Sequence, residues 1–254
     1  MRPSTSSCPP GPLAVFLALS VALAACDSPS DADHATPATV AASAPQPAAA
    51  PAPPAPPRPP EIIIDRSSVA IGADRIPSGE VAFADKVSAL TNGKAGIEGQ
   101  AVDVVAMRNA RPSQVVDVVA AVRAAKANAV TVKTSARDDT TQKMPLASAA
   151  NVPDCTVVAW IDKDGWIDVW PAGGGAVRRV KRGLAGPDMT LGMDAVRTQW
   201  AGCNAPTIAV GADDAMTWGL VFDLGTSALQ APGSRASTAT LLTSAVPGKK
   251  LVLP

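Results

Sequence analysis

Pro206-Thr-Ile-Ala-Val-Gly211 and Thr240-Leu-Leu-Thr-Ser-Ala245 enclose a segment that reads as strand, helix, strand. Between them Trp218, Val221, Phe222, Gly225, Ala228 and Leu229 recur at i, i+3, i+4, i+7, i+10 and i+11. That spacing puts one apolar stripe along the side of an α-helix. Ala231-Pro-Gly-Ser-Arg235 breaks the helix before the second strand.

The same order occurs about a hundred residues earlier. Val102-Asp-Val-Val-Ala-Met107 reads as a buried strand, and Arg111-Pro112-Ser113 opens a helix. Proline at a first-turn position costs that helix nothing, because its missing N–H would have no partner there. Val115, Val118, Val119 and Val122 follow at helical spacing, and Val130 to Thr134 form the next strand. The strand ends match closely, Thr131-Val-Lys-Thr-Ser-Ala136 against Thr240-Leu-Leu-Thr-Ser-Ala245.

Upstream, each copy starts with a strand pair and a helix. The first has Ile62 to Asp65, a bend at Arg66 to Ser68, Val69 to Ile71, and a helix with Phe83, Val87 and Leu90 on one side, stopped by Asn92-Gly93. The second has Thr156 to Ile161, an Asp162-Lys-Asp-Gly165 turn, Trp166 to Trp170, and a helix carrying Met189, Met193, Val196 and Trp200. Asp-Gly between apolar runs is a strong hairpin signal. The pattern predicts an α+β fold of two tandem small β-β-α-β-α-β domains, residues 61–146 and 154–254, with helices on one face of each sheet. A last edge strand is expected at Lys250 to Leu253, and residues 137–154, polar and small, are expected to form the boundary.

The remaining sequence sets the compartment. Leu13 to Ala25 is an apolar run of 13 residues preceded by one charge, Arg2. About 20 apolar residues are needed to span a bilayer, so the run predicts a signal peptide over 1–25. Its exit, Leu23-Ala24-Ala25-Cys26, resembles the bacterial lipobox, and that resemblance implies a diacylglycerol thioether on Cys26 and a membrane held through it. Residues 26–60 are nearly all Ala, Pro, Ser and Thr, a linker of extended polyproline type reaching at most roughly 100 Å at about 3.1 Å per residue. The implied location is the cell envelope, lipid-anchored on the periplasmic face of the inner or outer membrane.

Lys and Arg number 22, one of them Arg2, against 22 Asp and Glu. This balance predicts no nucleic-acid partner. Tyrosine is absent and phenylalanines number three, so Val, Ala, Leu, Ile and five tryptophans must build the core. Once Cys8 leaves with the signal and Cys26 is acylated, Cys155 and Cys203 remain, either as a disulfide or as two separate buried thiols.

Hairpin, helix, strand, turn, helix, strand resembles the periplasmic domain of the ExbD/TolR biopolymer-transport family. The second copy carries the family's turn as Gly211-Ala212-Asp213, Met216-Thr217-Trp218-Gly219 and Val221-Phe222-Asp223. The first carries it loosely as Met107-Arg108-Asn109, Arg111-Pro112-Ser113 and Val115-Val116-Asp117. The resemblance implies a non-catalytic adaptor, or a module binding peptidoglycan or a motor-complex or TonB-like protein, and an internal pseudo-dimer of the two copies. Family members carry a spanning helix with a proton-conducting aspartate; an acid-free signal stands in its place here, so channel activity is not implied.

The only histidine is His34, in the linker, which excludes Ser-His-Asp and Cys-His catalysis from residues 61–254. Asp162, Asp164 and Asp168 fail the calcium-loop spacing, with glycine fourth instead of sixth, and no metal or other cofactor is expected. The same three are the candidates for a carboxylate-based secreted hydrolase, the least favoured alternative. A structural surface lipoprotein without a retained ligand is the other. Gly173-Gly-Gly175 reads as a loop, and Arg178-Arg-Val-Lys-Arg182 as a solvated edge strand or a contact for an acidic partner. Asp213, Asp214, Trp218, Arg178 and Arg179 are the candidate binding residues; Trp160, Trp170 and Trp218 are expected chiefly in the core.

Overall fold

A computed structural model describes residues 57–94, 96–135, 140–147 and 152–253. The signal, Cys26 and His34 lie outside the described residues. The described residues belong to one compact unit.

The first half runs β1 (Ile62–Ile64), β2 (Ser68–Ile71), β3 (Asp74–Pro77), α1 (Phe83–Asn92), β4 (Ala101–Ala106), α2 (Pro112–Ala124), β5 (Ala129–Ser135) and β6 (Thr141–Leu146). The second runs β7 (Val157–Ile161), β8 (Ile167–Pro171), β9 (Arg178–Val180), α3 (Met189–Trp200), β10 (Thr207–Ala212), α4 (Trp218–Gln230) and β11 (Thr238–Leu242). The molecule is therefore mixed α/β, with four helices among the described residues and a single sheet of eleven strands.

The strand order is β3-β2-β1-β4-β5-β6-β11-β10-β7-β8-β9. Read from either edge inward, the halves repeat one another: an antiparallel meander of three strands, then two parallel strands linked through a helix. The registers superimpose as well. Ile64 pairs with Ala106 as Ile161 pairs with Ala212, and Asp103 pairs with Thr131 as Ala209 pairs with Thr240.

The halves do not form two sheets. β6 runs antiparallel to β5 and pairs with β11 at Leu146–Ala239, joining them into one. This strand lies inside the segment expected to be a polar boundary. Only Met144 and Leu146 are buried in Thr141-Gln-Lys-Met-Pro-Leu146, too few apolar positions to announce a central strand. Tertiary packing supplies the rest: Gly225 on α4 leaves room for Met144, and a Cβ there would stand 2.6 Å from its sulfur.

β6 also explains why residues 250–253 form no edge strand. The place beside β11 is already taken. The chain after β11 instead turns at Val246-Pro247-Gly248-Lys249, where the Lys249 N–H donates to the Val246 carbonyl at 3.0 Å and Gly248 takes a φ of 76°. Proline followed by a left-handed glycine is the sequence of a tight reversal. β3 was also not expected; Ile76 is its one buried residue. The basic run does give an edge strand, β9.

Buried residues of all four helices join the inward positions of both halves in one core, with α1 on α2, α3 on α4 and α2 on α4. A smaller second cluster lies on the opposite face of the sheet. It consists of Val158, Trp160, Trp170, Ala172, Ala209 and Leu242, with Val152, Ala245, Leu251 and Leu253 laid over it.

Candidate functional site

The turns after β4 and β10 are where the two halves meet. The β4–α2 turn belongs to the first half and the β10–α4 turn to the second. The first N–H groups of a helix have no partner inside it. In α4, Trp218 N–H donates to the Ala110 carbonyl and Gly219 N–H to the Arg108 carbonyl, both at 2.9 Å. In α2, Ser113 N–H donates to Asp214 Oδ1 at 2.9 Å. Each helix start is thus capped by the other half's turn. Carbonyl oxygens and a carboxylate also suit the positive end of a helix dipole.

Arg108 extends the junction. Its guanidinium grips Asp223 of α4 with two nitrogens, at 2.9 and 2.6 Å, and donates to the Ser135 carbonyl at 3.2 Å. Forked pairs of this kind are among the stronger charge-assisted bonds. The hydrogen bond to Asp223 raises the Arg108 pKa, so the charge stays fixed.

In the superimposed registers Asp214 occupies the place of Arg108, and Asp117 that of Asp223. One side of the junction therefore holds a cation and an anion, the other two carboxylates. Burial, and then the neighbouring Asp214, push the Asp117 pKa up. Neither Arg108 nor Asp117 was a candidate binding residue. The sequence alignment of the turns set Arg108 against Ala212, and only the strand registers place it against Asp214.

Trp218 is fully buried, its indole N–H donating to Thr134 Oγ1 of β5 at 2.8 Å. It belongs to the core between the halves and presents no surface. Asp213 is half-buried; its carboxylate accepts the Ala215 N–H at 2.9 Å and shapes the β10–α4 turn. Asp214 is exposed.

The structure does not bring Arg178 and Arg179 to this junction. They lie at the far edge of the sheet, on opposite faces of β9. Arg179 grips Asp168 of β8 with two bonds of 2.7 Å, stacks over Trp166 at 5.4 Å and approaches Asp162 at 3.6 Å. Asp168 is wholly buried and Arg179 half-exposed, so the arginine closes a carboxylate that would otherwise be buried unpaired. Its own pKa is raised by the bond to Asp168. Arg178 is exposed on the helix side.

Asp162 accepts the Asp164 and Trp166 N–H groups, both at 2.9 Å, and with Gly165 at a φ of 78° it makes the β7–β8 turn. The three carboxylates thus hold a turn and an ion pair. No group of three or more His, Cys, Asp or Glu side chains is placed to hold a metal ion among the described residues. Cys155 and Cys203 form a disulfide with their Cα atoms 5.5 Å apart, tying the entry to β7 to the loop before β10.

No protein family, curated protein or solved structure matches this chain.

Proposed function

We propose that this chain is a non-catalytic, lipid-anchored periplasmic protein, an adaptor or peptidoglycan-binding module of ExbD/TolR type without the proton-channel helix. Its two tandem domains act as an internal pseudo-dimer. The observation that carries this reading is the reciprocal capping of α2 and α4. Two copies of one unit, each supplying what the other's helix start lacks, support the reading of a fused symmetric pair. Leu23-Ala24-Ala25-Cys26 supports the anchor, and the Ala/Pro linker gives the folded part reach from the membrane. The engagement of Asp162 and Asp168 in a turn and an ion pair weighs against a carboxylate hydrolase.

Two measurements test the proposal. Mass spectrometry of protein recovered from cells should show Cys26 as an acylated amino end; an intact, unacylated N-terminus refutes the anchor. Cosedimentation of residues 53–254 with purified peptidoglycan, beside pull-down with envelope proteins, separates wall binding from adaptor binding. Failure of both leaves the structural surface lipoprotein in its place.

A further inference from the structure

Residues 245–253 turn at Pro247-Gly248 and cross the back of the second half outside any helix or strand. They are held there much as a bound peptide would be. Trp170 is fully buried, and its indole N–H donates to the Lys249 carbonyl at 3.1 Å. The Leu251 N–H donates to the Ala172 carbonyl at 2.7 Å, and the Gly175 N–H to the Gly248 carbonyl at 2.9 Å. Leu251 and Leu253 face the tryptophan cluster, while Val252 between them is 84% exposed. One exposed ion pair, Lys250 to Asp154 at 3.2 Å, completes the attachment.

The cleft is shaped for a passing backbone. Gly211 makes room for the Trp160 ring that forms its floor; a Cβ there would stand 2.7 Å from that ring. Gly174 forms the rim, where a Cβ would come within 3.0 Å of the Lys250 nitrogen. The triglycine read from sequence as a plain loop is thus a ledge for a second segment of chain. The fit is incomplete: a pocket of about 190 Å³ remains among Trp170, Ala245, Val246 and Leu251. Cavities of roughly 150 Å³ admit a benzene ring. The Pro247-Gly248 reversal lets the strap leave without disturbing β11, which is paired on both sides.

We infer that this face is a peptide-binding cleft in which residues 249–253, the extended arm after the Pro247-Gly248 turn, are a resident ligand, and that it takes in their place an extended apolar segment of a partner protein with leucine-sized side chains two residues apart. Main-chain bonds would supply affinity and the alternate side chains specificity, as in other recognition of extended peptides. The first half has no such cleft, because Ile63, Asp103 and Lys133 stand where Trp160, Ala209 and Leu242 form this one.

The test uses the full chain carrying L251D and L253D, which detaches the strap without deleting it. The probe is a fluorescein-labelled peptide of residues 245–254, titrated by polarisation. The variant should bind it saturably. The wild type, whose own strap competes at millimolar effective concentration, should bind at least about tenfold more weakly. Adding W170A to the variant should abolish binding. A variant that keeps its disulfide and cooperative unfolding yet binds no peptide overturns the proposal. So does binding that survives W170A, or a wild type that dimerises by exchanging straps without taking up peptide. If the variant does not fold, amide exchange of the wild type decides. Leu251 and Gly175 should exchange at least about tenfold faster than the amides of β7 and β10. Exchange only through global unfolding would make the strap part of the core and refute its release.

Discussion

On the helix side of the sheet the two halves are near copies. Ile64 holds the place of Ile161, Val104 that of Val210, Val132 that of Leu241 and Ile76 that of Val180; all are buried. On the other side they have parted. Ile63 stands where Trp160 does, Asp103 where Ala209 does, Lys133 where Leu242 does and Ala70 where Asp168 does. In the first half Lys133 and Asp103 pair across neighbouring strands at 2.5 Å, and the face is open. In the second the same positions are apolar and lie under residues 245–253. The front face specifies the chain path, because every helix must bury its stripe there. The back face is free to become solvated surface or second core, according to what covers it.

The matched positions allow this contrast to be broken directly. Trp160→Ala should cost about 3–5 kcal/mol in urea unfolding, while Ile63→Ala at the half-buried equivalent should cost only about 1–2 kcal/mol. Equal costs would mean that the back of the first half is also a covered face.

The second half alone is stapled. The loop before β4 instead buries Ile97 in the core. Replacing Cys155 and Cys203 by serine should lower stability by about 3–4 kcal/mol, since the bond spans 48 residues. Limited proteolysis of the serine variant should cut first in the second half. Cleavage beginning in the first half would show that the disulfide supports the whole sheet.

Arg75 and Arg179 occupy equivalent edge positions, one opposite Ala70 and the other opposite Asp168. Arg179→Met leaves a buried carboxylate without its partner and should cost about 2–3 kcal/mol. Arg75→Met should stay within about 0.5 kcal/mol. A small cost at Arg179 would mean that water or another group satisfies Asp168.

The smallest effect lies at the junction. A carboxyl whose pKa rises on folding contributes stability while protonated and loses it as pH rises from the ordinary carboxylate value through the folded one. Asp117 is such a group. Asp117→Asn should therefore raise stability near neutral pH by about 0.5–1 kcal/mol, with the gain vanishing at pH 3. A gain independent of pH would point to packing instead of charge. The same substitution at Asp223 should destabilise the protein, because Arg108 loses its carboxylate.

Sequence reading located the four helices and most of the strands because each carries a strong local signal. The valine stripe of α2 has proline at its start, α4 has its own stripe, and the β7–β8 hairpin has Asp-Gly. The repeat was legible for the same reason, as matching apolar periods written twice. β3 and β6 were hidden because one or two buried side chains suffice where neighbouring strands supply the hydrogen bonds. The candidate site was half legible. Asp213 and Asp214 do mark a turn at the junction, but Trp218 is interior, and Arg178 and Arg179 lie at a distant edge.

What the sequence determined by itself was local: which segments coil or extend, which face of each is apolar, and that the pattern occurs twice. Three things only the tertiary structure decided. Asp214 reaches a helix start 101 residues away, β6 takes the one place between β5 and β11, and residues 245–253, left without an edge, lie over tryptophans. Each depends on which surface or sheet edge is still free once the other elements have packed, and no window of neighbouring residues carries that information.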